Sequence, residues 1–304
     1  MHVLLRAQDA RPTLAYVGHS KGFARLAALG PGSGAVHTDI GVCTLEAGGS
    51  IDLCVQSFEE TFYVLEGEPI LILDGQAVRL KPGACGVIQT GAPHAWRGDG
   101  HGTSKWIDNL SPRPRGPDAE QPDTFFVGPP PALEAHDMDI RDPRNRTLFL
   151  MRDSDIDLKH LSSGSKVNAP TVSASMATAV LAYSGIAVKM LVDQRLGASM
   201  STMFMVEYQP GAVAHPHDHP LEEAYVMLDG VVDVVADGQR YTIGPGDVFW
   251  TGVGCIHAFY EVEGKTVRWL ETASPQPPIR HSYRFSRDWD YLQETLAQET
   301  PAKG

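Results

Sequence analysis

The chain repeats itself, and this constrains its fold more than any other feature. The run Leu65 to Trp96, LEGEPILILDGQAVRLKPGACGVIQTGAPHAW, aligns without a gap to Leu228 to Phe259, LDGVVDVVADGQRYTIGPGDVFWTGVGCIHAF, at an offset of 163 residues. Gly67 meets Gly230, Asp74-Gly75-Gln76 meets Asp237-Gly238-Gln239, and Pro82-Gly83 meets Pro245-Gly246. Gly91 meets Gly254 and His94 meets His257; upstream, Gly48 meets Gly211 and Glu60 meets Glu223. Turn residues held at fixed offsets between apolar runs mean two copies of one domain.

Each copy reads as short strands. Ala224 to Leu228 ends at Asp229-Gly230, and Val231 to Val235 ends at Asp237-Gly238, a two-residue hairpin signal. Tyr241 to Ile243 ends at Gly244-Pro245-Gly246, and Val248 to Trp250 ends at a glycine-rich turn. Strands of this length with regular turns predict an antiparallel sandwich or barrel. Between the copies, SPRPRGPDAEQPD and Gly128-Pro129-Pro130-Pro131 look like linker. The division is then 1–125 for the first barrel, 126–170 for the linker and 171–304 for the second barrel. Thr171 to Leu191 holds either a short helix or the opening strands of the second barrel. Trp289, Leu292 and Leu296 within Ser286 to Gln298 predict a C-terminal helix.

Composition excludes several partners. The net charge of −12 argues against nucleic acid, which needs clustered Lys and Arg. The most apolar stretch, Thr171 to Val192, is broken by Ser173, Ser175, Ser184, Gly185 and Lys189, so no membrane span is expected. The N-terminus lacks the apolar centre of a signal peptide. Cys43, Cys54, Cys85 and Cys255 show no CxxC spacing, which predicts reduced, buried thiols and a cytoplasmic location.

The second copy contains PGAVAHPHDHPLEEAYVMLDG, Pro210 to Gly230. His217 and His219 are two apart and share a strand face. Glu223 follows after a bend, and His257 arrives from a later strand. Three imidazoles and one carboxylate make a mixed nitrogen and oxygen site for one divalent metal per chain. Fe(II) or Mn(II) heads the choice, with Ni, Zn, Co and Cu also compatible. His215 shares parity with His217 and lines the entrance or replaces a ligand. Glu222, of opposite parity, is expected in solvent or on a backbone contact.

These residues closely resemble the cupin superfamily. Its first motif, G-x5-H-x-H-x3-4-E-x6-G, is met by Gly211, His217, His219, Glu223 and Gly230. Its second, G-x5-P-x-G-x2-H-x3-N, is met by Gly246, Gly254 and His257, with Gly252 replacing the proline and Glu261 the asparagine. The resemblance spans roughly 36–110 and 200–275. It implies an all-β bicupin of two tandem double-stranded β-helix (jelly-roll) barrels with short helical segments, and, from the habit of such proteins, a homo-oligomer. In the first copy, Cys54 and Gln56 stand where the histidine pair should be, while Glu60 and His94 remain. The expectation is a degenerate barrel with an inert Cys54 thiol.

Parity places Tyr225, Met227, Cys255 and Phe259 around the site, with Met203 and Met205, or alternatively Thr202 and Phe204, on the preceding strand. Such a pocket suits a small-molecule substrate. Arg268 and Arg240 are candidates to anchor a carboxylate, with exposed strand positions as the other reading for both. The set of three histidines and one glutamate is similar to that of cupin dioxygenases, which implies Fe(II) and O2, with Glu223 as a fourth ligand or catalytic proton acceptor. The two-barrel layout, with a degenerate first site, also resembles the ureidoglycine aminohydrolase family, as does Glu60-Thr61-Phe62-Tyr63-Val64. That family places Glu, His, His and Gln at the ligand positions, whereas this chain has His217, His219, Glu223 and His257. The alternative is thus a Mn(II) hydrolase. An isomerase or decarboxylase, and then a non-enzymatic binding protein, follow.

Overall fold

The computed structural model describes residues 1–115, 122–156, 185–276 and the backbone of 284–285. Its first half holds β1 (His2–Leu5), β2 (Thr13–Leu14), β3 (Ser20–Ala27), β4 (Asp39–Gln56), β5 (Glu59–Glu66) and β6 (Ile70–Leu73). There follow β7 (Gln76–Arg79), β8 (Ala84–Ile88), β9 (His94–Arg97), β10 (Ser104–Ser111), β11 (Thr124–Gly128), β12 (Ala135–Asp137) and β13 (Leu148–Leu150). The second half holds β14 (Ile186–Val192), β15 (Thr202–Tyr208), β16 (Val213–Asp218), β17 (Glu222–Asp229) and β18 (Val232–Ala236). It ends with β19 (Gln239–Ile243), β20 (Val248–Thr251), β21 (His257–Glu261), β22 (Val267–Ser274) and β23 (Arg284–Phe285). The only helices among the described residues are four 3-10 turns, Ala7–Asp9, Pro31–Ser33, Pro143–Asn145 and Asp153–Asp155. None of the described helices is long and apolar enough to cross a membrane.

The repeat is carried strand by strand. β3 pairs with β4 as β14 pairs with β15, and β5 pairs with β8 and β10 as β17 pairs with β20 and β22. The second barrel is two facing sheets, ordered β1-β20-β17-β22-β15-β14 and β19-β18-β21-β16-β23. In the first barrel the 18-residue β4 runs through both faces, so one continuous sheet curls round. Both Asp-Gly hairpins form with positive φ at each residue: 51° and 74° at Asp74-Gly75, 47° and 78° at Asp237-Gly238. That geometry matches the twist of the flanking strands. At the motif glycine Gly230, φ is 72° and a Cβ would lie 2.5 Å from the Thr266 carbonyl oxygen, so no larger residue fits.

Two sequence readings need correction. The N-terminal strand β1 does not join the first barrel; it pairs antiparallel with β20 of the second, His2 opposite Thr251. The segment read as linker carries structure: β11 pairs with β4, β12 with β7 and β13 with β8, all on the first barrel. Edge backbone groups of that sheet need partners, and these strands supply them. Of the ambiguous stretch, Ile186–Val192 is a strand; 171–184, and the helix expected over 286–298, lie outside the described residues.

The barrels share a core. Ile40, Val87 and Ile107 of the first pack with Met203, Met205, Val226 and Leu270 of the second. Full burial stabilises side chains of this size by roughly 1.5–3 kcal/mol each. Two glutamates at equivalent repeat positions clasp the joint. Glu59 accepts hydrogen bonds from the backbone nitrogens of Ser199 (2.6 Å), Met200 (3.1 Å) and Ser201 (3.0 Å). Glu222 accepts from those of Val36 (2.8 Å) and His37 (3.2 Å). Glu222 is buried, and the backbone contact is the one of its two expected surroundings that is observed.

Candidate metal centre

The second barrel gathers the sequence-predicted residues from three strands. His217 is on β16, directly opposite His257 on β21, and His219 follows the end of β16. The ring of His217 bonds through Nδ1 to the His215 carbonyl (2.5 Å), and that of His257 through Nδ1 to the Cys255 carbonyl (2.9 Å). A carbonyl only accepts, so both rings carry the proton on Nδ1 and turn the Nε2 lone pair inward. The three imidazoles each bring a nitrogen to within 4.8 Å of the others. On β17, Glu223 places Oε2 3.1 Å from Nε2 of His219 and 3.6 Å from Nε2 of His257. The Tyr225 hydroxyl reaches the same point, donating to Glu223 Oε2 at 2.7 Å and lying 2.9 Å from Nε2 of His257.

Burial dominates the electrostatics. Desolvation pulls the His217 imidazole down to about 4, helped by the neighbouring His219, and holds His257 well below its usual value. Neutral imidazoles are the form that binds a metal. Burial pushes the Glu223 carboxyl up to about 7 and the Tyr225 phenol well up. Beside them is Glu271 on β22, buried, its carboxyl pushed well up by burial and by the neighbouring Glu223, and accepting from Trp269 Nε1 at 2.9 Å. Sequence reasoning missed Glu271. Three imidazoles with a carboxylate fit a divalent transition ion, Fe(II), Mn(II) or Zn(II) among them.

A cavity opens from these groups, walled by Ile186, Val188, Phe204, Val206, Tyr208 and Trp269. Of the predicted lining, Tyr225 and Phe259 are there, and so is Phe204 of the alternative pair Thr202 and Phe204. Met203, Met205, Met227 and Cys255 are not among the cavity walls, and neither is His215. Met203 and Met205 face the core between the barrels, because β15 presents Phe204 and Val206 inward. Met227 and Cys255 pack in the core of the second barrel itself. The half-buried His215 contributes its carbonyl to His217. Arg268 pairs with Glu207 (2.6 Å) and Asp153 (2.7 Å), and Arg240 with Asp233 (2.9 Å); neither reaches the cavity. Glu261, at the motif's asparagine position, accepts from the Gly211 nitrogen at 2.8 Å and from the Glu263 and Lys265 nitrogens, and so ties the loop that begins the first motif to the turn after β21.

The first barrel places different residues at the equivalent positions. Cys54, Gln56, Glu60 and His94 are all buried, with Cys54 Sγ 3.5 Å from His94 Nε2. Where the second barrel has Phe259 and Trp269, the first stacks Trp96 on Trp106 at 4.7 Å, with Phe62 edge-on to Trp96. Burial pushes the Cys54 thiol up to about 12, which keeps it protonated.

Comparison with known proteins bears on the fold. A family model described as cupin domain matches twice, at residues 41–109 and 204–273. No curated protein matches by sequence. Among solved structures, salicylate 1,2-dioxygenase from Pseudoaminobacter salicylatoxidans superimposes with a TM-score of 0.66 at 13% identity, covering 98% of this chain and 83% of that one. A glyoxylate-induced protein from Pseudomonas aeruginosa gives 0.62 at 15% identity, covering 92% and 90%. Oxalate decarboxylase from Lactobacillus farciminis gives 0.62 at 14% identity, covering 97% and 92%. At these identities the likeness is one of fold.

Proposed function

Because the chain is a bicupin, with two cupin domains in tandem, we propose that it is a metal-dependent enzyme acting on a small organic substrate in its second barrel, and that the reaction is a dioxygenation. The observation that carries this is the convergence of His217, His219, His257 and Glu223 in one barrel, beside a cavity that His217 and His219 line, while the other barrel has Cys54 and Gln56 at the positions of the histidine pair. A redox-active divalent ion held there supplies the one-electron chemistry that dioxygen needs.

The protein's own residues do the rest. The imidazoles and Glu223 hold the ion. Glu223 and Tyr225 share a hydrogen bond through which a substrate hydroxyl can pass its proton. The apolar walls Val188, Phe204, Val206 and Phe259 exclude water and orient the substrate. The fold likeness to salicylate 1,2-dioxygenase supports the reading without fixing the substrate.

One observation favours a second, non-oxidative reading. Burial pushes the neighbouring carboxyls of Glu223 and Glu271 both upward, so that together they can hold and return a proton, which hydrolysis or decarboxylation requires. Oxygen-electrode assays across phenols, diketones and small amines, with Fe(II) or Mn(II), separate the two. Fe(II)-dependent oxygen uptake supports the dioxygenase. Turnover under nitrogen with Mn(II), such as ammonia release, overturns it in favour of the second reading.

A further inference from the structure

The degenerate barrel carries, in its own side chains, a version of what the working barrel is built to receive. At the 163-residue offset Glu271 corresponds to Asp108, Val188 to Arg25 and Phe204 to Gly41. The strand registers agree: Arg25 lies opposite Cys43 as Val188 lies opposite Val206, and Asp108 opposite Gly41 as Glu271 opposite Phe204. In the first barrel, Asp108 is gripped by the Arg25 guanidinium through two bonds, Nε to Oδ2 at 2.7 Å and Nη2 to Oδ1 at 2.8 Å. Asp39 holds the other edge of that guanidinium at 3.0 Å. Gly41 leaves the room: a Cβ there would sit 2.6 Å from the guanidinium carbon.

In the second barrel the carboxyl is kept and the arginine is gone. Val188 and Phe204 wall a cavity that Glu271 faces. Among the described residues, no Arg or Lys is a cavity wall, and the polar groups there, apart from the histidines, are Tyr208, Tyr225 and Glu271. Trp269 Nε1 pins one oxygen of Glu271 from behind. The cavity has a volume of about 40 Å³. At roughly 10–15 Å³ per water position, that is space for about three waters, the size of one guanidinium or a small amine.

We infer that the substrate of the second barrel carries a cationic nitrogen group, guanidinium or primary ammonium, that seats on Glu271 where the first barrel seats Arg25 on Asp108. This rests on reading the second barrel as the substrate-binding one. Among the described residues, no Arg or Lys lines this end of the cavity to pair with a carboxylate.

The test is calorimetric titration of the full-length protein with methylguanidinium, and with its neutral isostere N-methylurea, alongside metal analysis of each sample. Wild type is expected to bind methylguanidinium at least tenfold more tightly than N-methylurea. Glu271→Gln, nearly isosteric, loses that preference while keeping its metal. Val188→Arg/Phe204→Gly, which rebuilds the first barrel's arrangement, abolishes binding of the probe. Absent binding to wild type, equal affinity for the two probes, or an unchanged preference in Glu271→Gln overturns the inference. Metal absent from wild type would instead overturn the metal centre, and the two failures are distinguishable because the titration does not require turnover.

Discussion

Oε1 of Glu222 lies 2.8 Å from the backbone nitrogen of Val36, so a strand of the second barrel caps a loop of the first. One repeat earlier in the chain, Glu59 returns the favour to residues 199–201. The two barrels are therefore joined by a reciprocal pair of buried carboxylates as well as by their shared apolar core.

Removing either carboxylate strands backbone N–H groups in that joint. A buried unsatisfied group costs roughly 1–3 kcal/mol. Glu59→Ala is expected to lower the melting temperature by several degrees, and by more than Glu222→Ala, since Glu59 serves three amides and Glu222 two. Scanning calorimetry of both variants checks this; an equal or reversed order contradicts it.

His94 sets an acid limit on the first barrel. Burial depresses its imidazole from 6.5 to about 4, partly offset by its bond to the Ala92 carbonyl. The unfolded chain therefore binds a proton that the folded chain refuses between these values. The stability that follows is fully present above about pH 6.5 and is lost as pH falls toward 4, by about 3 kcal/mol. In urea unfolding at stepped pH, wild type should lose stability relative to His94→Leu across this window. A gap between the two that stays constant with pH counts against buried, neutral His94.

Tyr225 touches both Glu223 and His257 through its hydroxyl, but hydroxyl loss leaves every proposed ligand in place. Tyr225→Phe should retain metal and lose activity by roughly 10²-fold, the low end of general acid–base contributions. Loss of metal in this variant would make the tyrosine a structural support for the centre rather than a participant in the chemistry.

Much of this was legible in the sequence for identifiable reasons. Asp-Gly pairs announce hairpins, and the spacing of His217, His219, Glu223 and His257 survives as a motif because strands hold them at fixed registers. Parity failed on β15 because every residue there is buried, so no polar face marks which side turns inward. Glu271 sits alone in VRWLETAS, and only its register with Trp269, or its repeat partner Asp108, could have flagged it. The pairing of β1 with β20 joins segments almost 250 residues apart, and no local pattern encodes that.

The most direct test of the central claim is metal content per chain in protein purified without chelator, for wild type, His217→Ala, His257→Ala and Cys54→Ser. The account predicts about one divalent transition ion in wild type and in Cys54→Ser, and none in either histidine variant. Retention of metal by His257→Ala, or its loss from Cys54→Ser, would place the centre elsewhere and contradict the division of labour between the barrels.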